Sequence, residues 1–210
     1  MIIAIDGTLA SGKGTIARRL ADIYGLPHLD TGLLYRAVGM QALDQDIALD
    51  NATKLAAAAG TIKAETLDRP ELRSPQAAEA ASKVAVIPAV RDALFQLQRS
   101  FAQQPGGAIL DGRDIGSVIC PDADIKLWID AAIEVRARRR MLDFADQGNS
   151  VDLPTMIAGL EDRDKRDRNR SQAPMVKAAD AILIDTSSLS IDAAVDKARS
   201  IIERKFPAKP

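Results

Sequence analysis

Four short stretches of the chain are apolar at consecutive rather than alternate positions: 2–5, 108–110, 125–129 and 181–184. Residues 27–29 read as a fifth, shorter one. Consecutive apolar positions suit strands of a parallel sheet covered on both faces. The spacing changes between them. After Lys13, the residues Ile16, Leu20, Ile23 and Tyr24 fall at i, i+4, i+7 and i+8, a helical stripe. Leu94, Leu97, Gln98 and Phe101 continue a helix that starts near Pro88, where a first-turn proline is tolerated. Residues 135–145 and 157–170 predict two more helices. Ser190 caps a last one through Ile201 and Ile202, with Asp192 in its first turn. Alternating strands and helices predict an α/β fold around a mostly parallel five-stranded sheet.

Two stretches depart from the alternation. Residues 40–87 are rich in alanine with a weak strand signal at 61–67, and read as an insertion over the upper edge of the sheet. Residues 136–174 are dense in charge and read as a mobile or solvent-facing helical pair. No internal repeat or linker divides the 210 residues, so 1–210 is expected to be one domain; 207–210 is expected to fray.

Composition narrows the chemistry. Apolar residues at 47% and charged residues at 27% exclude wholesale disorder. Aromatics are only 3%, which speaks against a base-stacking surface, and a net charge of −1 gives no basic field for nucleic acid or membrane. One cysteine, Cys120, and one histidine, His28, exclude an intramolecular disulfide, a cysteine-based zinc site and any two-imidazole mechanism. No targeting segment and no run near the ~18 apolar residues of a membrane span is visible, so the expected location is the cytosol.

The strongest chemical signal is Gly7-Thr8-Leu9-Ala10-Ser11-Gly12-Lys13-Gly14-Thr15, between the first strand and the first helix. Glycines let successive N–H groups face phosphate oxygens, the helix start adds its positive dipole end, and Lys13 reaches the β- and γ-phosphates. Gly14 stands where the simplest form of this motif has Ser or Thr, and Thr15 follows.

Four later features separate phosphoryl transfer from other uses of such a loop. Thr31, Tyr35 and Arg36 can converge at a helix start as a grip on a second phosphate; alternatively they are a cap and a solvated arginine. Asp111-Gly112-Arg113-Asp114-Ile115-Gly116 follows a strand, where ligand crevices of parallel sheets lie. There Asp111 could hold water on Mg²⁺ and Arg113 could fork onto phosphate. Arg136, Arg139 and Arg140 share a helical face, as a lid that delivers guanidiniums to a transferring phosphate or as a solvated face balanced by Asp143 and Asp146. Arg163, Asp167 and Arg170 lie at i, i+4 and i+7; taken alone, their segment reads as an exposed helix stitched by ion pairs such as Asp164–Arg168 and Glu161–Lys165.

Together these segments resemble bacterial cytidylate kinases, of the nucleoside monophosphate kinase group. The resemblance runs nearly end to end. It covers Ile-Asp-Gly…Ser-Gly-Lys-Gly-Thr at 5–15, Leu-Asp-Thr-Gly…Leu-Tyr-Arg at 29–36, Ala-Ala-Ser-Lys-Val-Ala at 80–85 and Arg91 after Pro88. It continues through Asp-Gly-Arg-Asp-Ile-Gly at 111–116, Pro-Asp-Ala at 121–123, Arg-Ala-Arg-Arg-Arg-Met at 136–141 and the Arg-Asp-x-x-Asp-x-x-Arg run at 163–170. The 111–116 and 163–170 motifs are specific to the family, whereas the phosphate loop is shared widely. The resemblance implies a P-loop kinase fold with a nucleotide-binding insert at 37–87 and a short lid at 139–160. It implies that Ser82, Arg91 and Asp114 hold cytosine, and that Arg163 and Asp167 contact the acceptor ribose and its surroundings. Arg36, Arg113 and Arg170 would clamp the acceptor phosphate, with Thr31 and Tyr35 nearby. Gly12 and Lys13 would hold the donor phosphates, with Arg139 and Arg140 on the lid. The family usually has glycine at position 10, proline at position 8 and serine at position 31, and a longer segment between Arg36 and Arg73. If position 10 must be left-handed, Ala10 costs ~1–2 kcal/mol there.

The implied reaction is transfer of the ATP γ-phosphoryl group to CMP or dCMP, with Mg²⁺, by a monomer that needs neither nucleic acid nor membrane. A phosphate nucleophile has a second pKa of ~6 and needs no general base. The alternatives are a kinase for UMP, AMP, a sugar or a shikimate-type acceptor, and, from other classes, a nucleotide-dependent switch or an RNA-binding protein.

Overall fold

The computed structural model describes residues 1–206 other than Gln147; the expectation for 207–210 lies outside the described residues. The strands are β1 (Ile2–Gly7), β2 (His28–Asp30), β3 (Ala108–Gly112), β4 (Ile125–Asp130) and β5 (Ile182–Asp185). They form one sheet in the order β2-β3-β1-β4-β5, and every pairing is parallel. The helices are α1 (Lys13–Tyr24), α2 (Thr31–Asp44), α3 (Ala52–Ala59), α4 (Pro75–Val84), α5 (Pro88–Ala102), α6 (Ile133–Ala145), α7 (Leu153–Arg168) and α8 (Ile191–Lys205). A π-helical turn, Ile115–Ile119, follows β3.

In β1 and β3 the consecutive apolar runs exist because both faces of the sheet are buried there, whereas the edge strand β5 leaves Ile182 and Leu183 exposed. Side chains alternate across a strand, so Ala4, Ala108 and Leu110 join one core with Leu34, Leu55, Leu72 and Leu94. Ile3, Ile5 and Ile109 join the other, under Ile16 and Leu20 of α1 and Val195 and Ile202 of α8. A third, small cluster belongs to α6 and α7: Ala137, Met156 and Leu160, with Leu9 of the phosphate loop packed against it.

Several boundaries differ from the sequence reading. The stripe on α1 buries Ile16, Ala17, Leu20 and Ala21, whereas Ile23 is 46% exposed. No strand forms at 61–67; Ala64–Thr66 is a 3-10 turn, with Thr66 N–H donating to Lys63 O and Leu67 N–H to Ala64 O. Its apolar residues are isolated and pack onto the first core. Helix α7 begins earlier than expected, because the Asp152 side chain accepts Thr155 N–H and Pro154 occupies the first turn, and it stops at Arg168, before Arg170. Within 136–174, α6 and α7 form the expected helical pair with one side to solvent, but they also share their own cluster and bury Arg136, Asp164 and Asp167. The capping of α8 by Ser190 and the start of α5 at Pro88 are as predicted.

Candidate functional site

The carboxyl ends of the strands carry the site, as expected for parallel α/β sheets. At the end of β1, a side chain on Gly7 would meet the Ile129 carbonyl oxygen at 1.9 Å, so only glycine lets β4 approach this closely. The loop then turns left-handed at Ala10, φ 61°, and Gly12 caps α1 at φ 90°. Ala10 therefore does occupy the strained region that glycine would relieve. Thr8, where the family has proline, is fully buried and its hydroxyl donates to Asp130 Oδ1 at 2.7 Å. Ser11 Oγ donates back to Thr8 O at 2.9 Å.

Two clefts meet at this loop. The first, about 540 Å³, is lined by residues 9–16, by Arg139 and by Thr186 and Ser190 near β5. Of the loop residues predicted to bind ATP, Leu9, Ala10, Ser11, Gly12, Lys13, Gly14 and Thr15 line it; Gly7 and Thr8 lie behind it as scaffold. Arg139 is held across its mouth, donating to Thr186 Oγ1 at 3.0 Å and Thr186 O at 2.7 Å. Thr186 in turn donates to Ser11 O at 2.8 Å. Lys13 is buried, with Nζ 3.4 Å from Thr8 O. Burial, then the nearby Arg113 charge, lowers its pKa to about 7, against the pull of Asp111 and Asp30.

The second cleft, about 160 Å³, shares Leu9, Lys13, Gly14 and Asp30 with the first. Thr31, Tyr35, Arg36, Ser82, Arg113, Asp114, Arg163, Asp167 and Arg170 line it, all predicted from the sequence, together with Asp111. Arg91 stands behind that wall: its Nη2 donates to Asp114 Oδ2 at 2.5 Å and its guanidinium lies 5.6 Å from the Tyr35 ring centroid. Asp167, 1% exposed, joins the clamp, accepting from Arg113 Nε at 3.1 Å and from Arg170 Nη2. Burial would raise the Asp167 carboxyl, but Arg113, Arg170 and Arg163 together hold it below its ordinary value. Arg163 is crowded the other way: burial, then Arg113, lowers its pKa to about 9. Ser82 Oγ, Arg163 Nε and Arg170 Nε are buried without a hydrogen-bond partner, and all three residues line this cleft. A surplus of guanidinium with unmatched buried donors is a pocket shaped for an anion.

Some predicted residues stand elsewhere. Arg136 does not serve a lid surface: it is 5% exposed, donates to Asp164 Oδ2 at 2.8 Å and to Ala131 O at 3.0 Å, and reaches Leu9 O at 3.3 Å. Its counter-ion is a carboxylate of α7, so Asp164 serves mainly Arg136 and only distantly Arg168, at 3.9 Å. Arg140 lines neither cleft; it pairs with Asp143 at 3.3 Å and lies 4.8 Å from the Phe144 ring centroid. The 163–170 segment is not an exposed helix face, because Asp164 and Asp167 are buried and Arg170 is brought round beyond the end of α7.

The sequence reading missed His28 as a partner of the site. Its Nε2 lies 2.7 Å from Asp111 Oδ1, while Thr31 Oγ1 donates to the Asp111 carbonyl at 2.9 Å. It also missed Thr186 and Asp130, whose only signal was polarity at the end of a strand.

A family model described as "Cytidylate kinase" matches residues 3–204. A protein named cytidylate kinase from Xanthobacter autotrophicus is 54% identical over 98% of this chain and 98% of its own length. Another, from Caulobacter sp. strain K31, is 52% identical over 96% of this chain and 94% of its own. Among solved structures, an uncharacterized protein from Eubacterium ventriosum shares the fold with a TM-score of 0.57 at 21% identity, over 97% of this chain and 98% of that one. TT1252 from Thermus thermophilus does so at 0.51 and 20% identity, over 99% and 98%.

Proposed function

The chain belongs to the cytidylate kinase family, and from that premise we propose how its two clefts divide the work of phosphorylating CMP or dCMP with ATP. ATP occupies the first cleft, its phosphates in the loop 7–15 against Lys13. CMP or dCMP occupies the second, its base toward Ser82, Arg91 and Asp114, its ribose toward Arg163 and Asp167, and its phosphate among Arg36, Arg113 and Arg170. Lys13 stands at the border of both clefts, where the γ-phosphoryl group changes hands.

The observation that carries this reading is the convergence, in one cleft beside the phosphate loop, of four arginines from three separate segments: Arg36, Arg113, and Arg163 with Arg170. The attacking phosphate oxygen is already ionised near neutral pH, its second pKa being ~6, so no base is needed. Lys13, Arg113, Arg170 and the lid residue Arg139 neutralise charge on the transferring group and hold donor and acceptor in line. The segment 37–87 closes on the acceptor and 139–160 on the donor, excluding water.

Mg²⁺ fits the donor set. Asp30 and Asp111 occupy paired positions on neighbouring strands, and burial, followed by the Asp111 charge, raises the Asp30 carboxyl. Crowded carboxylate oxygens beside a phosphate loop suit a hard cation that keeps several waters and takes its other ligands from phosphate. Asp30 and Asp111 would hold it, Asp111 through water; when bound it neutralises the β- and γ-phosphate oxygens. Among the described residues no group of three or more His, Cys, Asp or Glu could hold a metal ion, and no helix is long and apolar enough to cross a membrane. The reading is of a cytoplasmic monomer with ATP and CMP or dCMP as its partners.

A coupled ADP-release assay with ATP, Mg²⁺ and each of CMP, dCMP, UMP, AMP and shikimate tests it. Turnover is expected with CMP and dCMP; faster turnover with AMP or shikimate than with either would overturn it.

A further inference from the structure

Asp6 has no place in the proposed transfer, yet it is one of the most enclosed carboxylates in the molecule. It is 4% exposed, on β1 immediately before Gly7 and the phosphate loop. Its Oδ1 accepts the N–H of Ile115 at 2.8 Å and its Oδ2 accepts the N–H of Gly116 at 2.7 Å. Those two amides open the π-helical turn that follows Arg113 and Asp114. A helical start leaves such N–H groups unpaired, and this one is capped from another strand, 109 and 110 residues away in sequence.

The turn has little freedom otherwise. A side chain on Gly112 would meet Thr31 Oγ1 at 2.6 Å, and one on Gly116 would meet Lys126 Cδ at 3.1 Å and Asp6 Oδ2 at 3.4 Å. Arg91 pins Asp114 from one side, but it does so through the side chain. The backbone just after Asp114 is held from within the turn by Val118 and Ile119, whose N–H groups donate to the Asp114 carbonyl, and from outside it by Asp6. The arrangement is costly: burial, opposed by the two N–H bonds, pushes the Asp6 carboxyl up to about 7, and among the described residues no cation is ion-paired to it. A buried carboxylate with no salt-bridge partner is retained only where its hydrogen bonds do something an apolar residue cannot.

We propose that Asp6 is a positioning residue for acceptor-base selection, its two carboxylate oxygens holding the Ile115 and Gly116 amides so that Asp114 and Arg113 face the acceptor in one fixed geometry. The same carboxylate ties that geometry to the strand from which the phosphate loop springs. This inference rests on the reading of the second cleft as the acceptor site.

The test is steady-state kinetics of Asp6→Asn at pH 8 with CMP and UMP, and with ATP varied, beside Asp114→Ala. Asparagine keeps one acceptor oxygen and turns an NH₂ group toward the other amide. Loss of a charge-assisted bond predicts a fall of roughly tenfold in the CMP/UMP ratio of kcat/KM, through a higher KM for CMP, with KM for ATP changed less than about twofold. An equal loss for CMP and UMP, or an unchanged ratio, overturns the proposal. If Asp114→Ala alters the ratio and Asp6→Asn does not, only the role of Asp6 falls; if Asp114→Ala leaves the ratio unchanged, the acceptor reading falls with it. Should Asp6→Asn not fold, amide hydrogen exchange in the unmutated protein decides. Ile115 and Gly116 are expected to be protected, and slowed further by CMP; exchange at the rate of exposed amides overturns the proposal.

Discussion

Lys13 reports on its own cleft. Burial and Arg113 lower its pKa to about 7, so the folded protein binds that proton less tightly than the unfolded chain does. Between about 7 and the ordinary value of 10.5 the unfolded state carries more protons, and stability gained from this group rises with pH. A bound phosphate reverses the shift by favouring the ammonium. At pH 8, ATP binding should therefore take up about half a proton or more. Calorimetry in two buffers of different ionisation enthalpy measures this, and proton release would contradict it. Ala10 gives a second residue-scale expectation. Its φ of 61° costs ~1–2 kcal/mol, and the extra freedom of glycine in the unfolded chain takes back ~0.4–1. Ala10→Gly should raise stability by about 0.5–1 kcal/mol in denaturant melts; a lower midpoint would show that the loop does not carry this strain. Arg113 touches both Asp167 and the acceptor cleft. Arg113→Ala should lower kcat/KM for CMP by roughly 10²-fold or more while KM for ATP moves less than about twofold. Parallel losses for both substrates would argue against a role on the acceptor side.

At the scale of elements, α6 and α7 are bound to the phosphate loop through one buried pair and one apolar contact. Arg136 bridges Asp164 of α7 and the Leu9 carbonyl, while the Leu9 side chain packs against the small cluster of Ala137, Met156 and Leu160. Removing Asp164 leaves a buried guanidinium without its counter-ion. Asp164→Ala should cost about 3–5 kcal/mol, whereas Arg168→Ala, whose side chain is exposed and 3.9 Å from the same carboxylate, should cost less than about 0.5. Chemical denaturation of both variants separates them; equal small effects would mean that the Arg136 bridge does not hold the helices.

Across the whole molecule, what the sequence displayed depended on how far apart the interacting residues lie. The phosphate loop was legible because its strand, glycines, lysine and helix are contiguous. The strands were legible because a sheet buried on both faces needs consecutive apolar residues, and 2–5, 108–110 and 127–129 supply them. The acceptor cleft showed itself only as separate charged motifs, whose convergence the sheet order creates by placing the ends of β1, β2 and β3 side by side. Partnerships across the fold left no local trace. The pairing of Arg136 with Asp164 hid behind a helical spacing that made Arg136 look like its neighbours Arg139 and Arg140. His28 with Asp111, and Thr186 with Ser11, depend on register between strands and a loop, which periodicity does not encode. The false strand signal at 61–67 arose from apolar residues spaced to cover a core rather than to pair.

The account depends on one placement: the acceptor nucleotide in the cleft beside Lys13, opposite the donor. A crystal structure of the protein with CMP bound tests it most directly. The CMP phosphate is expected within hydrogen-bond distance of Arg36, Arg113 and Arg170, with the base against Asp114, Arg91 and Ser82. CMP bound away from those arginines, or with its base on the phosphate loop, would contradict the account.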